Sequence, residues 1–401
     1  MRAGQPDYLI LGLVAVLLVL GLITVYSASF AVGQLEYNDA TYFAARQALW
    51  AGVGVLLLLF FMHSDYRLLR YASPLMMVVA VASLMAVLVP GIGLERNGAT
   101  RWLALGPLPP VQPSEFAKLA LIIYISAWLA GRGRDVRSFA MGLVPFVVLV
   151  GMVGGLILLE PDLGTTIVIV LTMLALFFVA GASLTHLVAL LMTGGVAASL
   201  LIAAGGYRAD RMFAFISAED EPGGRGFHIL QLLISLGTGG ISGLGLGASR
   251  QKFFYIPGAH TDGVFAIIGE ELGFIGAVAV IALFGALVFR GLRVMLHARD
   301  DFGALLAVGV TTWIAFQTLI NIGGITRSIP LTGIPLPFLS YGGSALAAVL
   351  AGVGILLSVS RYGSGQRYTG RDRRVAPAGS RAPALSFEQR PGRTLPRRGA
   401  G

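Results

Sequence analysis

The chain has 401 residues, 56% of them hydrophobic and 12% charged, and the charged share is about half that of soluble domains. Such a composition excludes a soluble globular domain, and the lack of ten-residue alternating segments argues against a membrane β-barrel. With no cysteine there is no disulfide framework, thiolate nucleophile or Cys-based metal site.

The formal net charge of +9 is concentrated at one end of the sequence. From Arg361 onward there are ten arginines against Asp372 and Glu388, 10 − 2 = +8, so the preceding 360 residues are nearly neutral. This segment, 361–401, is rich in Pro, Gly, Ser and Arg and lacks apolar periodicity, which predicts a disordered basic tail. Anionic cytoplasmic lipid is its expected partner, in preference to nucleic acid. The N-terminal apolar run is longer than a signal peptide's core and many others follow it, so a retained first helix is expected.

Apolar runs long enough to cross roughly 30 Å of hydrocarbon recur along residues 1–360. They predict an all-α polytopic integral membrane protein with about ten transmembrane helices, near 8–29, 46–62, 73–91, 114–130, 139–159, 163–180, 185–205, 263–289, 303–325 and 341–360. Arg67 and Arg70, then Arg132, Arg134 and Arg137, then Arg290, Arg293 and Arg299 fall in connections on the same side as Arg2 and the tail. The positive-inside rule makes that side the cytoplasm and places both termini there. The long loop 206–262, between helices 7 and 8, is then extracytoplasmic, as are the connections 30–45, 92–113, 160–164 and 326–340.

Polar clusters near a membrane are costly unless paired or wetted, so each one in this sequence needs a reason. In NGATRWLALGPLPPVQPSEFAKL, Pro113 and Ser114 suit a helix start, and Glu115 and Lys118 stand three apart on one helix face. The chain has only two lysines, Lys118 and Lys252, and both lie in outer-face clusters. In EPDLGTT, Asp162 either caps the next helix through Gly164 or Thr165, or holds Lys118, a cation or a substrate.

Six glycines between Gly237 and Gly247 precede Arg250 and Lys252. Glycines and paired cations suit an anion site, while the pattern taken alone favours a tight re-entrant hairpin in which the glycines serve packing. The pattern is not a Walker loop. Next comes YIPGAHTDGVFAIIGEELGF, where Asp262 precedes an apolar helix that carries Glu270 and Glu271 about 12 Å further on. An aspartate in that place is a helix N-cap, a catalytic carboxylate, or both. The two glutamates are expected to face the bundle or a wet cavity. His260 is a candidate base or a structural residue, and without His-x-x-x-His spacing a dedicated zinc site is not expected. Finally, Pro335 and Pro337 break helix before Ser340-Tyr341-Gly342-Gly343-Ser344, which suggests the wall of a groove.

In this order, NGATRWL (97–103), QPSEFAKL (112–119), EPDLGTT (160–166), GLGLGASRQKFFYIPGAHTD (243–262) and PLPFLSYGGSAL (335–346) resemble the SEDS family (shape, elongation, division and sporulation), whose members include FtsW, RodA and SpoVE. The wording of FFYIPGAHTD and IIGEELGF is closest to the division branch. The resemblance implies a peptidoglycan glycosyltransferase that polymerises lipid II at the outer face of the bacterial cytoplasmic membrane during septal wall synthesis. It implies a class B penicillin-binding protein and other divisome proteins as partners. It also implies Asp262 as the catalytic residue, with Glu115, Lys118 and Asp162 lining a central cavity. The chain departs from the family pattern at Gly258, Gly263 and Arg327.

The chemistry needs one base for a sugar hydroxyl, for which Asp262 serves. Arg101, Arg250 and Lys252 are candidates to steady the departing diphosphate, and His260 and Ser340 belong to the same cavity. No cofactor is required, but a divalent cation, Mg or Mn, held by Asp262 is compatible with the pattern. Two other functions fit the sequence: a lipid II flippase and a non-catalytic division scaffold. A flippase needs polar residues along the whole path, whereas here they crowd the outer half.

Overall fold

A computed structural model describes residues 4–96, 99–104, 109–219, 224, 226–253 and 255–363. The tail from residue 364 and Asn97-Gly98 of the first polar motif lie outside the described residues. The chain runs α1 (Tyr8–Tyr37), α2 (Tyr42–His63), α3 (Leu68–Leu88), a hairpin of β1 (Gly93–Arg96) and β2 (Ala99–Leu103), and α4 (Pro113–Arg132). A 3₁₀ turn and a π turn lead into α5 (Val144–Leu159), followed by α6 (Leu163–Val179), α7 (Leu184–Ala203), α8 (Tyr207–Ile216) and α9 (Phe227–Thr238). The last three helices are α10 (Val264–Leu296), α11 (Asp301–Ile325) and α12 (Gly343–Tyr362). Each expected span coincides with a helix. Among the described residues nine segments are long and apolar enough to cross a membrane, and the remaining expected span, α6, has 17 residues.

Burial sorts the helices into a centre and a periphery. In α12, α11 and α4, 89%, 78% and 67% of the most apolar window is buried, against 6% in α7. The central helices therefore need small or apolar side chains on every face, as α12 has in GSALAAVLAGVGILL. One end of the bundle gathers the first and last described segments and several arginines. Asp7 caps α1, accepting from the N–H groups of Leu9 and Ile10, and pairs with Arg290 of α10. Arg361 donates to the carbonyls of Gly4 and Met62. At the α2–α3 connection, Asp300 caps α11 and takes Tyr66 Oη at 2.7 Å and Arg67 Nε at 3.2 Å.

The tenth helix, α10, is broken within its span. Gly273, at φ +70°, leaves helical geometry about two turns before the midpoint of this 33-residue helix. The glycine-rich segment repairs the gap. Leu244 and Gly245 donate backbone N–H to the carbonyls of Glu270 and Glu271 at 3.0 and 2.9 Å, and Phe274 and Ile275 donate to Gly240 and Ile241. Broken backbone at membrane depth persists only where protein satisfies it, and here the re-entrant segment does so.

The segment between α11 and α12 follows the same rule. Asn321 Nδ2 donates to Ile334 O at 2.8 Å, Gln317 Nε2 to Pro335 O at 2.9 Å, and Gln47 Nε2 to Ser340 O at 3.1 Å. Arg327, one of the departures from the family pattern, reaches the carbonyls of Phe215 and Ile216 and pairs with Glu219 at 2.9 Å. It thus places positive charge on the C-terminus of α8.

Candidate functional site

Asp262 lies directly before α10, half-buried, but it does not cap the helix. Gly263 holds the N-cap position with no side-chain hydrogen bond. The Asp262 carboxylate accepts from the neighbouring Thr261 hydroxyl at 3.0 Å, while its backbone carbonyl takes Asn321 Nδ2 at 3.0 Å. The main chain is therefore fixed from α11 and the carboxylate is left largely available. Gly258, another departure, is at φ +68°, and a Cβ there would stand 2.5 Å from Asp262 Oδ1. Only glycine both adopts this backbone and leaves the carboxylate its room.

His260 is a structural neighbour. Its ring packs against Phe43 and Tyr341, with centroids 4.6 and 5.6 Å apart, and its carbonyl accepts from the Tyr341 N–H. Burial pulls the imidazole down to about 4 against the opposing charge of Asp262, so it is neutral. His228, at the start of α9, is a residue the sequence reading missed. Burial lowers it too, Asp262 opposes that shift and Arg211 adds to it, and its Nε2 is buried without a partner.

The Glu115–Lys118 pair forms as the spacing predicts. Lys118 Nζ lies 3.0 and 2.9 Å from the two Glu115 oxygens and 3.2 Å from Gln317 Oε1, and it sits 5.2 Å from the centre of the Trp313 ring. Trp313 Nε1 donates to the same Gln317 oxygen at 2.8 Å. Gln317 and Asn321 stand four apart in the apolar run of α11, and that spacing was the available signal for both.

Asp162 caps α6 through Thr165 N–H at 3.0 Å and also takes the Thr165 hydroxyl, Gln112 Nε2 at 3.3 Å and an ion pair with Arg101 at 3.9 Å. Of its two expected roles the cap is present, and the cation beside it is Arg101, not Lys118. Arg101 also donates to the carbonyls of Glu160 and Pro161, so it clasps this turn and has little left for a diphosphate. Glu160 is fully buried with both carboxyl oxygens unpartnered. Burial first, and then the Asp162 charge, push it up to about 8 against the pull of Arg101.

The expected anion site of Arg250 and Lys252 is corrected by the structure. Lys252 is buried, and its three hydrogens go to Glu271 Oε1 at 3.0 Å, Ser27 Oγ at 3.2 Å and Gly247 O at 2.7 Å. Glu270 accepts from Ser249 Oγ at 2.5 Å, Ser235 Oγ at 3.1 Å and Arg250 N–H at 3.0 Å. Both glutamates face the bundle, and the glycine N–H groups bind helix carbonyls instead of an anion. The Arg250 guanidinium alone of this pair stays exposed. Ser340 closes its own turn, accepting from Leu336 N–H at 2.8 Å. The void beside it, bounded by Gln317, Pro335 and Gly342, is about 10 Å³, room for one water at most. Among the described residues no group of three or more His, Asp or Glu could hold a metal ion.

Residues 7–365 match the family model for the cell cycle proteins FtsW, RodA and SpoVE. The chain belongs to this family. It is 45% identical over 361 residues to stage V sporulation protein E of Bacillus subtilis, covering 90% of this chain and 98% of that protein. It is 39% identical over 358 residues to the probable peptidoglycan glycosyltransferase FtsW of Nitrosococcus halophilus, covering 88% and 92%. Among solved structures it matches a chain of a peptidoglycan synthase complex that coordinates polymerization and crosslinking, with TM-score 0.73, 29% identity, and 89% and 98% of the two chains covered. RodA of Thermus thermophilus matches with TM-score 0.67 and 29% identity, covering 90% and 98%. These coverages extend the FtsW/RodA/SpoVE likeness over the whole helical bundle and every motif described above.

Proposed function

We propose that the chain is a peptidoglycan glycosyltransferase of the division type, polymerising lipid II into glycan strands at the outer face of the bacterial cytoplasmic membrane. Both termini are then cytoplasmic, in accord with the gathering of arginines at one end of the bundle. The observation that carries the assignment of roles is the Asp262 carboxylate, anchored through its main chain yet spared from capping α10.

In the reaction, an acceptor sugar hydroxyl attacks the anomeric carbon of a donor that carries a polyprenyl diphosphate. A glycosidic C–O bond forms, the bond from that carbon to the diphosphate oxygen breaks, and the polyprenyl diphosphate departs. Asp262 takes the hydroxyl proton as general base. The leaving group is already good, so the paired acid of a glycosidase is not needed. Arg250 is the exposed cation suited to the diphosphate. If a divalent cation takes part, Asp262 is the residue that would hold it, and the ion would neutralise diphosphate charge. Glu115, Lys118 and Asp162 shape the cavity floor through the bonds described above, and His260 and Ser340 support its wall. With a void near Ser340 no larger than a water, substrate entry requires the segment around 335–342 to yield.

A class B penicillin-binding protein is the proposed partner, together with other divisome proteins. The supporting point is the match to a chain from a complex that couples polymerization to crosslinking. The test uses the purified full chain, such a partner and labelled lipid II in detergent, where no transbilayer journey exists. Wild type should give long glycan products, and Asp262→Asn should cut the rate by about 10²-fold or more. An equally active Asp262→Asn variant would remove the base role. Absence of polymer from wild type, with lipid II still crossing liposomes that contain it, would make the chain a flippase.

A further inference from the structure

The end of the bundle that gathers the arginines carries a cavity for which the glycosyl transfer has no use. The start of α1, the last turns of α10 and the end of α12 enclose about 560 Å³, a volume typical of ligand sites. Its walls include the charged and polar residues Gln5, Asp7, Arg290, Arg293, His297 and Ser360, with the Tyr8 ring at its edge. Arg290 is neutralised, since it donates to Asp7 Oδ2 at 2.5 and 3.1 Å. Arg293 is not. It is exposed, its guanidinium carbon stands 4.7 Å from the centre of the Phe289 ring, and no acceptor among the described residues takes its N–H groups.

The depth of this notch matches a lipid headgroup. At 1.5 Å per residue, the part of α10 beyond the break at Gly273, from Phe274 to Leu296, is roughly 34 Å long, against roughly 30 Å of hydrocarbon. The last turns of α10 therefore project to the headgroup level. Phe289, Leu292 and Leu296 of α10, and Tyr8 and Leu9 of α1, are exposed apolar residues along the rim. A cationic pocket that opens onto apolar strips suits an amphiphile with an anionic head. A planar guanidinium held open by an aromatic ring binds two phosphate oxygens at once. The basic tail of the chain itself, at +8, is repelled by the same arginines.

We propose that this notch binds the phosphate of an anionic membrane lipid, with the headgroup on Arg293 and the acyl chains along Phe289, Leu292 and Leu296. The bound lipid would tie α1, α10 and α12 together at the end opposite the proposed reaction.

The test measures retention of phosphatidylglycerol against phosphatidylcholine by native mass spectrometry of the full chain released from nanodiscs. Wild type should keep phosphatidylglycerol selectively, and Arg293→Gln should keep about fivefold less, the weight of one basic residue at an anionic surface. Arg293→Glu should keep none. The Arg293 side chain is exposed, so melting temperatures of both variants in pure phosphatidylcholine should match wild type. A tail variant, Arg373→Gln with Arg374→Gln, should retain phosphatidylglycerol as wild type does. Equal retention by wild type and Arg293→Gln, or loss in the tail variant alone, overturns the proposal. Displacement of the lipid by millimolar inorganic phosphate would make the ligand a free phosphate and overturn the lipid assignment.

Discussion

Two kinds of polar region in the bundle are built on opposite terms. Beneath the glycine-rich segment, Lys252, Glu271, Glu270, Ser27, Ser235 and Ser249 bond to one another and to backbone until the Lys252 ammonium has no hydrogen to spare, and of the two carboxylates one oxygen, Glu271 Oε2, is left without a hydrogen-bond partner. Around Asp262 and in the turn at Glu160, charged and polar groups are left short of partners: Asp262 has one hydroxyl, and the Glu160 oxygens, His260 Nδ1 and His228 Nε2 have none among the described residues. A satisfied buried network specifies one structure, whereas unpartnered groups keep capacity for a substrate or a proton. The difference separates a splint from a reaction site, although both are made of acids, bases and hydroxyls.

The contrast breaks most sharply if each region is cut at its centre. Asp262→Asn should lose about 10²-fold or more in polymerisation while its melting temperature stays near wild type, because its carboxylate holds only Thr261. Lys252→Ala should do the reverse at first, costing about 3–5 kcal/mol in denaturant unfolding in detergent, since Glu271 would remain buried and unpaired. Loss of activity in that variant should track loss of folded protein. If Lys252→Ala stays as stable as wild type but makes no polymer, the lysine belongs to the chemistry and the division between the regions fails.

A smaller change sharpens the boundary. Gly258→Ala puts a Cβ against Asp262 Oδ1 and forces an alanine to φ +68°. It should cost about 1–2 kcal/mol in stability. Polymerisation by the folded fraction should fall by about tenfold to a hundredfold, as expected when a catalytic group is displaced by a fraction of an ångström to one ångström. Lipid II turnover normalised to folded protein separates the two effects.

The last expected effect concerns protons. Glu160 stays protonated in the folded chain up to about 8, while its ordinary value is 4.5. Between those values the folded state holds the extra proton. Its contribution to stability is complete below the ordinary value and is lost as the pH rises through about 8. Glu160→Gln, which mimics the protonated acid, should flatten the fall in melting temperature over that window and gain most at its upper end. His260 has the opposite sign: its folded value of about 4 lies below the ordinary 6.5, so its contribution is complete above 6.5 and disappears as the pH drops through about 4. A pH-independent difference between wild type and Glu160→Gln would show that Glu160 is ionised throughout.

The sequence alone determined the class of this protein, ten of its twelve helices and the polar motifs that carry its chemistry. Long apolar runs have no alternative to helix in hydrocarbon, and charge too costly to leave in lipid advertises its own position. Local pairs were legible for the same reason: Glu115 and Lys118 meet because three residues make nearly one helical turn. Which partner a long-range polar group takes was decided only by tertiary structure. Lys252 and Arg250 stand two apart in sequence, yet one is sealed against Glu271 and the other is exposed, because Glu270 takes the Arg250 N–H and Ser249 Oγ the Lys252 N–H, which fixes the turn between them. Asp262 looked like a helix cap, and only the hold of Asn321 on its main chain, with Gly263 at the cap, keeps the carboxylate free. Periodicity reports which face of a helix is apolar, but it carries no information about which distant backbone will arrive to satisfy a break.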